Sequence, residues 1–380
     1  MTTNSNGRGS RLDAYHFYEQ EWESYDALRE AFEWEVPEQF NIATYVCDRW
    51  ADDPDRMAIY AENEAGNRQK RTFRELRDRA NRLANYFASR GVEAGDRVGV
   101  NLSQRPETAI AHLACWKLGA VSVPLSVKFG PDALGYRLED SGAVACVVGS
   151  ENVDTLRDVY PELAALETVL TVDAEFEEAT ELSAATADHS AEFETAHTAA
   201  EDPAIIIYTS GTTGDPKGVL HAHRFFLGHL PLFLTDFCNM DLRDDDLFWL
   251  PSEWSWIAVF NIIFAGWFYG KPVLAYSEDG FDPRKAFDLM DRYGVSVTFI
   301  PPTALRMMKD VPETDTRECD SLRVIASGGE ALDRDTFEWA FETFGDEIAV
   351  HEGYGQTEAN MLVANCTALA EYKIGKLGLA

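Results

Sequence analysis

"RVGVNLSQRPETAIAHLACWKLGAVSVPL", residues 97–125, reads as strand, helix, strand. Its two flanking runs are almost continuously apolar, as strands buried on both faces are. Between them Pro106 suits the first turn of a helix and Gly119 its end. Working outward, "TFRELRDRANRLANYFASRG" (72–91) predicts a preceding helix. Thr72 caps it with Glu75 reaching back, Phe73, Leu76, Leu83 and Phe87 line one face, and Gly91 ends it. Downstream come a helix near 131–141 and the strand "AVACVV". Alternation of this kind predicts an α/β fold with a doubly wound sheet.

Residues 173–202 break the pattern with 10 acidic residues and no Lys or Arg, which reads as a solvated connection. The alternation then resumes with the strands "AIIIYTS", "LFWLP", "PVLAY", "VSVTFI", "LRVIAS" and "IAVHE", and helices at 257–269, from Pro283 and at 333–344. The expected organisation is a tail and lead-in over 1–37, a first sheet over about 38–172, the connection, and a second sheet over 203–366.

The chain has 380 residues, 46% hydrophobic and 26% charged, so a folded globular protein is expected. Its 65 acidic residues against 33 basic ones give a formal net charge of −32. Nucleic acid, which needs basic patches, is not the expected partner. With 9 Lys against 24 Arg, the balance reads as adaptation to a salt-rich cytoplasm, where the screening length falls to roughly 3 Å at 1 M salt; an acidic mesophilic protein is the alternative. The six cysteines show no metal-ligand spacing and are expected as buried free thiols. No secretory signal or membrane-spanning run is seen, the apolar run "IAVFNIIFAGWF" having only 12 residues.

"YTSGTTGDPKGVLHAH" (208–223) follows an apolar strand, and open α/β sheets bind ligands beyond the carboxyl ends of their strands. Glycines let backbone N–H groups converge, and Thr209, Ser210, Thr212 and Thr213 add hydroxyls; such a nest suits phosphate oxygens. The nucleotide-binding pattern GxxxxGK[ST] fails, because Pro216 precedes Lys217 and Gly218 follows it, and GxGxxG is absent.

"YTSGTTGDPKG" resembles the phosphate-binding loop of the AMP-forming acyl and aryl ligases. "SGGEAL" (327–332) resembles their adenine segment, and "HEGYGQTE" (351–358) their nucleotide and magnesium segment, in the family's order. The stretches 40–63 and 249–276 look most like medium-chain acyl-CoA synthetases. The resemblance implies two sheets packed with helices plus an incomplete β-barrel, and activation of a carboxylic acid, expected to be fatty, by ATP to acyl-AMP, then transfer to coenzyme A; loading of a carrier protein and an inactive nucleotide-binding remnant are the rivals.

By that resemblance Thr209, Ser210, Gly211, Thr212, Thr213, Gly214 and Lys217 would cradle the phosphates, Glu358 would ligate Mg²⁺ and Thr357 would bond the α-phosphate. Tyr354 would stack on adenine between Gly353 and Gly355, beside Gln356, with Gly329, Glu330 and Ala331 as the opposite wall. Trp254 and Trp256, placed on one side of an extended chain, and Gly328 would border the acyl pocket. Lys128 departs from the uncharged residue expected near the nucleotide. His221 and His223 read as helix-start histidines near the phosphates. The last residues, "EYKIGKLGLA", resemble the region before the family's hinge and mobile lid, so a fragment, a truncation or a separately encoded lid domain is expected.

Overall fold

The computed structural model describes residues 9–210 and 214–378. Fifteen strands run in chain order: β1 (Met57–Asn63), β2 (Arg68–Thr72), β3 (Arg97–Asn101), β4 (Val121–Pro124), β5 (Ala143–Gly149), β6 (Thr168–Val172), β7 (Thr180–Glu181), β8 (Pro203–Thr209), β9 (Lys217–Ala222), β10 (Phe248–Trp249), β11 (Val273–Ser277), β12 (Val297–Phe299), β13 (Val324–Gly328), β14 (Ala349–Gln356) and β15 (Asn360–Ala364). They form an eight-stranded sheet, order β15-β14-β13-β12-β10-β11-β1-β2, and a seven-stranded sheet, order β7-β6-β5-β3-β4-β8-β9.

The opening stretch forms β3, helix α2 (Pro106–Leu118) and β4, and β3 pairs with β4 in parallel. Helix α1 (Phe73–Ser89) has the expected capping box: the Glu75 amide donates to Thr72 Oγ1 at 3.3 Å, and the Thr72 amide donates to Glu75 Oε2 at 2.9 Å. Helix α3 (Pro131–Ser141) follows, and α4 (Pro283–Tyr293), α5 (Pro302–Lys309) and α6 (Arg334–Phe344) serve the second half.

Sheet membership corrects the sequence reading. β1 and β2, expected in the first sheet, sit in the eight-stranded one, where β1 pairs in parallel with β11. β8 and β9, expected in the second, complete the seven-stranded sheet beside β4. Local periodicity specifies a strand and its buried face; the choice of partner is tertiary. The acidic connection is likewise docked. Its β7 pairs with β6, and Asn81 Nδ2 donates to the Ala191 carbonyl at 2.7 Å. No closed barrel forms among the described residues, since each sheet ends in two open edge strands, β15 and β2 in one and β7 and β9 in the other.

The largest core cluster joins the two sheets through α1 and α2, taking Val98 and Ile207 from one and Ile59, Val273 and Val324 from the other. All six cysteines are free and buried. No helix among the described residues is long and apolar enough to cross a membrane.

Candidate functional site

The glycine loop joins β8 to β9 as a hairpin, with Thr209 opposite Lys217 in the register. Buried Ala204, Ile205 and Ile207 anchor β8, and the Tyr136 hydroxyl donates to the Pro216 carbonyl at 3.1 Å, tying down the loop's far end. Gly211, Thr212 and Thr213 lie outside the described residues. Ser210 and Gly214 are exposed on either side of them, as is Lys217 at the start of β9.

The second arm comes from the other sheet. β14 carries Gly353, Tyr354, Gly355 and Gln356 to a turn holding Thr357 and Glu358, and β15 returns antiparallel. Two glycines are sterically required here. A Cβ on Gly328 would lie 2.7 Å from the Gly353 carbonyl oxygen, and one on Gly355 would lie 2.4 Å from that of Asn360. Both obstacles are backbone, which cannot step aside as a flexible side chain can. Tyr354 is half exposed, its ring turned outward rather than into the core.

The two arms meet. Thr209 Oγ1 donates to Glu358 Oε1 at 3.4 Å, so the hydroxyl loop, the Lys217 end of β9 and the Glu358 turn share one edge of the molecule although they belong to different sheets. His221 lies against the Thr357 backbone and near Glu358, and burial pushes its imidazole pKa down despite them. His223 does not join them. It is fully buried, accepts from the Ile42 amide at 3.3 Å, and is pushed down to about 4 by burial.

Gly329, with φ +91°, turns the chain after β13; Glu330 and Ala331 are exposed beyond it. The Glu330 carboxylate is already engaged: the Thr303 amide donates to it at 2.9 Å and Arg306 Nη2 at 2.8 Å. The Thr303 hydroxyl also donates to it, and this hydroxyl, Arg306 and the amide together hold the Glu330 pKa below the usual value. A residue absent from the sequence reading supports this wall. Buried Glu352 accepts from the Leu332 amide at 2.9 Å and from the Tyr372 hydroxyl at 2.8 Å, clamping the 329–332 segment to β14. The only sequence signal for it is a carboxylate inside an apolar strand.

Trp254 and Trp256 part company. The segment after β10 is a series of turns, with the Trp256 amide donating to the Glu253 carbonyl at 3.4 Å, so the side-by-side placement of an extended chain does not hold. Trp254 is 1% exposed and packs in the main core, whereas Trp256 is 51% exposed. Lys128 points from the loop after β4 to Glu253, 3.5 Å away, and Ser126 Oγ donates to the same carboxylate at 2.5 Å. Lys128 thus links the loops at the carboxyl ends of β4 and β10.

The AMP-binding enzyme family matches residues 47–380. Acyl-coenzyme A synthetase ACSM4, mitochondrial, of Homo sapiens is 31% identical over 362 residues, 90% of this chain and 60% of that protein. Acetyl-coenzyme A synthetase of Xanthobacter autotrophicus is 29% identical over 383 residues, 92% of this chain and 58% of that one. Among solved structures, Brucella canis acyl-CoA synthetase superposes with a TM-score of 0.85 at 28% identity, over 94% of this chain and 66% of its own. The anthranilate CoA ligase AuaEII in complex with anthranoyl-AMP gives a TM-score of 0.83 at 21% identity, over 90% of this chain and 65% of that chain, a likeness of fold. The chain spans about 60% of the length of the relatives it matches.

Proposed function

We propose that this chain, which belongs to the AMP-binding enzyme family, carries the nucleotide and acid sites of an ATP-dependent acid–thiol ligase. A carboxylate would attack the α-phosphorus of ATP, giving acyl-AMP and pyrophosphate, and coenzyme A would then take the acyl group as a thioester. The observation that carries this reading is the Thr209–Glu358 contact, with Lys217 in register beside it. A lysine, hydroxyls and a carboxylate from two sheets thus lie close together, and a triphosphate needs positive charge, donors and a cation ligand together.

The first step brings an anion onto a polyanion, so the rate depends on oriented charge where the leaving pyrophosphate forms. Lys217 supplies a point charge to it, Ser210 and Thr209 hydroxyl donors, and Thr357 a bond to the α-phosphate. Tyr354, half exposed beside Gly353 and Gly355, offers a face for adenine, with Gly329, Glu330 and Ala331 opposite. When bound, Mg²⁺ would supply positive charge to the phosphates. Glu358 fits it as a single hard oxygen ligand, because Mg²⁺ typically takes one or two carboxylates with phosphates and water; among the described residues no cluster of three or more His, Cys, Asp or Glu could hold a metal. The resemblance adds a lid domain as a partner, and a cytoplasmic setting suits all three substrates.

The test is ATP binding, followed by exchange of labelled pyrophosphate into ATP over a panel of acids, with and without a separately expressed lid domain of the family. ATP binding that falls at least ten-fold in Lys217→Ala and Glu358→Gln, and acid-dependent exchange with the lid, are expected. ATP binding that is absent, or indifferent to both substitutions, removes the reading.

A further inference from the structure

The turn that holds Glu358 leads inward. Its Thr357 backbone meets His221, and the His221 ring stacks on Phe225 with centroids 4.7 Å apart. Phe225 in turn meets His229 at 5.3 Å and Phe260 at 4.9 Å. β15 closes on the same group, since Asn360 Nδ2 donates to the Phe225 carbonyl at 3.1 Å. Asn261 faces His229 as a weak side-chain partner that tends to raise the ring's pKa, short of good hydrogen-bond geometry.

Around this aromatic hub, polar atoms from four separate segments have no hydrogen-bond partner among the described residues: His221 Nε2, both ring nitrogens of His229, Asn261 Oδ1 and Asn360 Oδ1. His229 and Asn261 are 1% and 6% exposed, so bulk water does not serve them. Native interiors leave few such groups, because each forfeits its bonds to water, and a set of them in one place calls for a reason. Two backbone irregularities coincide with it. Asn261 sits in the π-helical turn Phe260–Phe264, and Asn360 holds a φ of +59°; both kinds of feature gather at functional sites. Burial pushes the His229 imidazole down to about 3, so at neutral pH the ring is uncharged and offers one donor and one acceptor.

We propose that His229 and Asn261 form the inner polar end of the acid pocket. The acid it takes carries a hydrogen-bonding group beyond its carboxylate, on a flat apolar body that packs against Phe225 and Phe260. This inference rests on the acid-activating reading above and departs from the fatty acid implied by resemblance, because an unbranched aliphatic chain would offer these polar atoms no partner. A pocket built to bond a substrate hydroxyl rejects the analogue lacking it far more strongly than an apolar pocket sorts chain lengths.

Calorimetric titration of the ATP-loaded chain with matched acids tests this: 4-hydroxybenzoate against 4-methylbenzoate, and 8-hydroxyoctanoate against octanoate. In at least one pair the hydroxylated member is expected to bind ten-fold or more tightly, the preference falling toward parity in His229→Phe and in Asn261→Leu. Equal binding within both pairs, or preference for the methyl-ended members, overturns this inference, the polar atoms then being served by internal water, and leaves acid activation standing. ATP binding with no acid bound at all overturns both readings. The wild-type comparison decides the matter even where a variant fails to fold.

Discussion

Glu62 offers a sharp test of how the eight-stranded sheet is held. This β1 carboxylate is 3% exposed and accepts from Lys285 Nζ at 2.8 Å, Arg292 Nη1 at 2.8 Å, the Tyr293 hydroxyl at 2.8 Å and Arg68 Nε at 2.9 Å. Burial by itself raises its pKa, but the bonds from Lys285, Tyr293 and Arg292 outweigh burial and bring it from 4.5 down to about 2. A depressed carboxylate contributes stability that is present above its unfolded value and is lost as pH falls through the folded one. The window is therefore pH 4.5 down to 2, and the lowering corresponds to about 3 kcal/mol. Glu62→Gln keeps the shape, removes the charge and leaves the cations facing an amide, a loss in the range of about 3–5 kcal/mol for a broken buried pair. Urea unfolding of both proteins across pH 2–7 measures it. The gap between them should be about 3 kcal/mol at pH 7 and close toward zero near pH 2. A gap under about 0.5 kcal/mol at pH 7, the size of an ordinary surface change, or one that does not vary with pH, refutes the reasoning.

Asp236 gives the opposite pH dependence. Its carboxyl is fully buried beside His351 and Gly353 without a hydrogen-bond partner on either oxygen among the described residues, and burial raises its pKa well above 3.8. The native state keeps a proton that the unfolded chain releases, so stability present below pH 3.8 is lost as pH rises; Asp236→Asn should raise the thermal midpoint at pH 8 by more than at pH 4, and an equal shift at both would count against this. Given the net charge of −32, stability should also climb with KCl toward molar concentrations as self-repulsion is screened; midpoints that stay flat or fall across the series would end the salt-adaptation reading.

The βαβ unit at 97–125 and the Thr72 capping box were legible because their signals are local: an apolar run, a first-turn proline, a hydroxyl three residues before a glutamate. Sheet membership was not. Nothing within "MAIYAEN" says that β1 pairs with β11 rather than β3. The helix expected over 257–269 is present over 258–268, but its middle turn, Phe260–Phe264, is π-helical, and Trp254 and Trp256 separate because turns replace an extended chain. In the site, the residue types and order of Thr209, Lys217 and Glu358 could be read, but their meeting across two sheets is tertiary. His229 and Asn261 looked ordinary; the available clue was a lone polar residue within each of the apolar runs "HLPLFL" and "AVFNIIF".

The interleaving of the two sheets bears on how the protein is made. Ile59 on β1 finds its partner Val273 only after some two hundred further residues have been synthesised, roughly 10–40 s of elongation at ~5–20 residues per second. Until then the nascent chain holds a hairpin with one vacant edge, a template for pairing with a neighbouring chain. Its other edge is β2, "RQKRT", whose three cations on five residues repel such additions. Neither sheet can therefore be finished from one half alone, and β14 and β15 extend a sheet that β1 and β2 began.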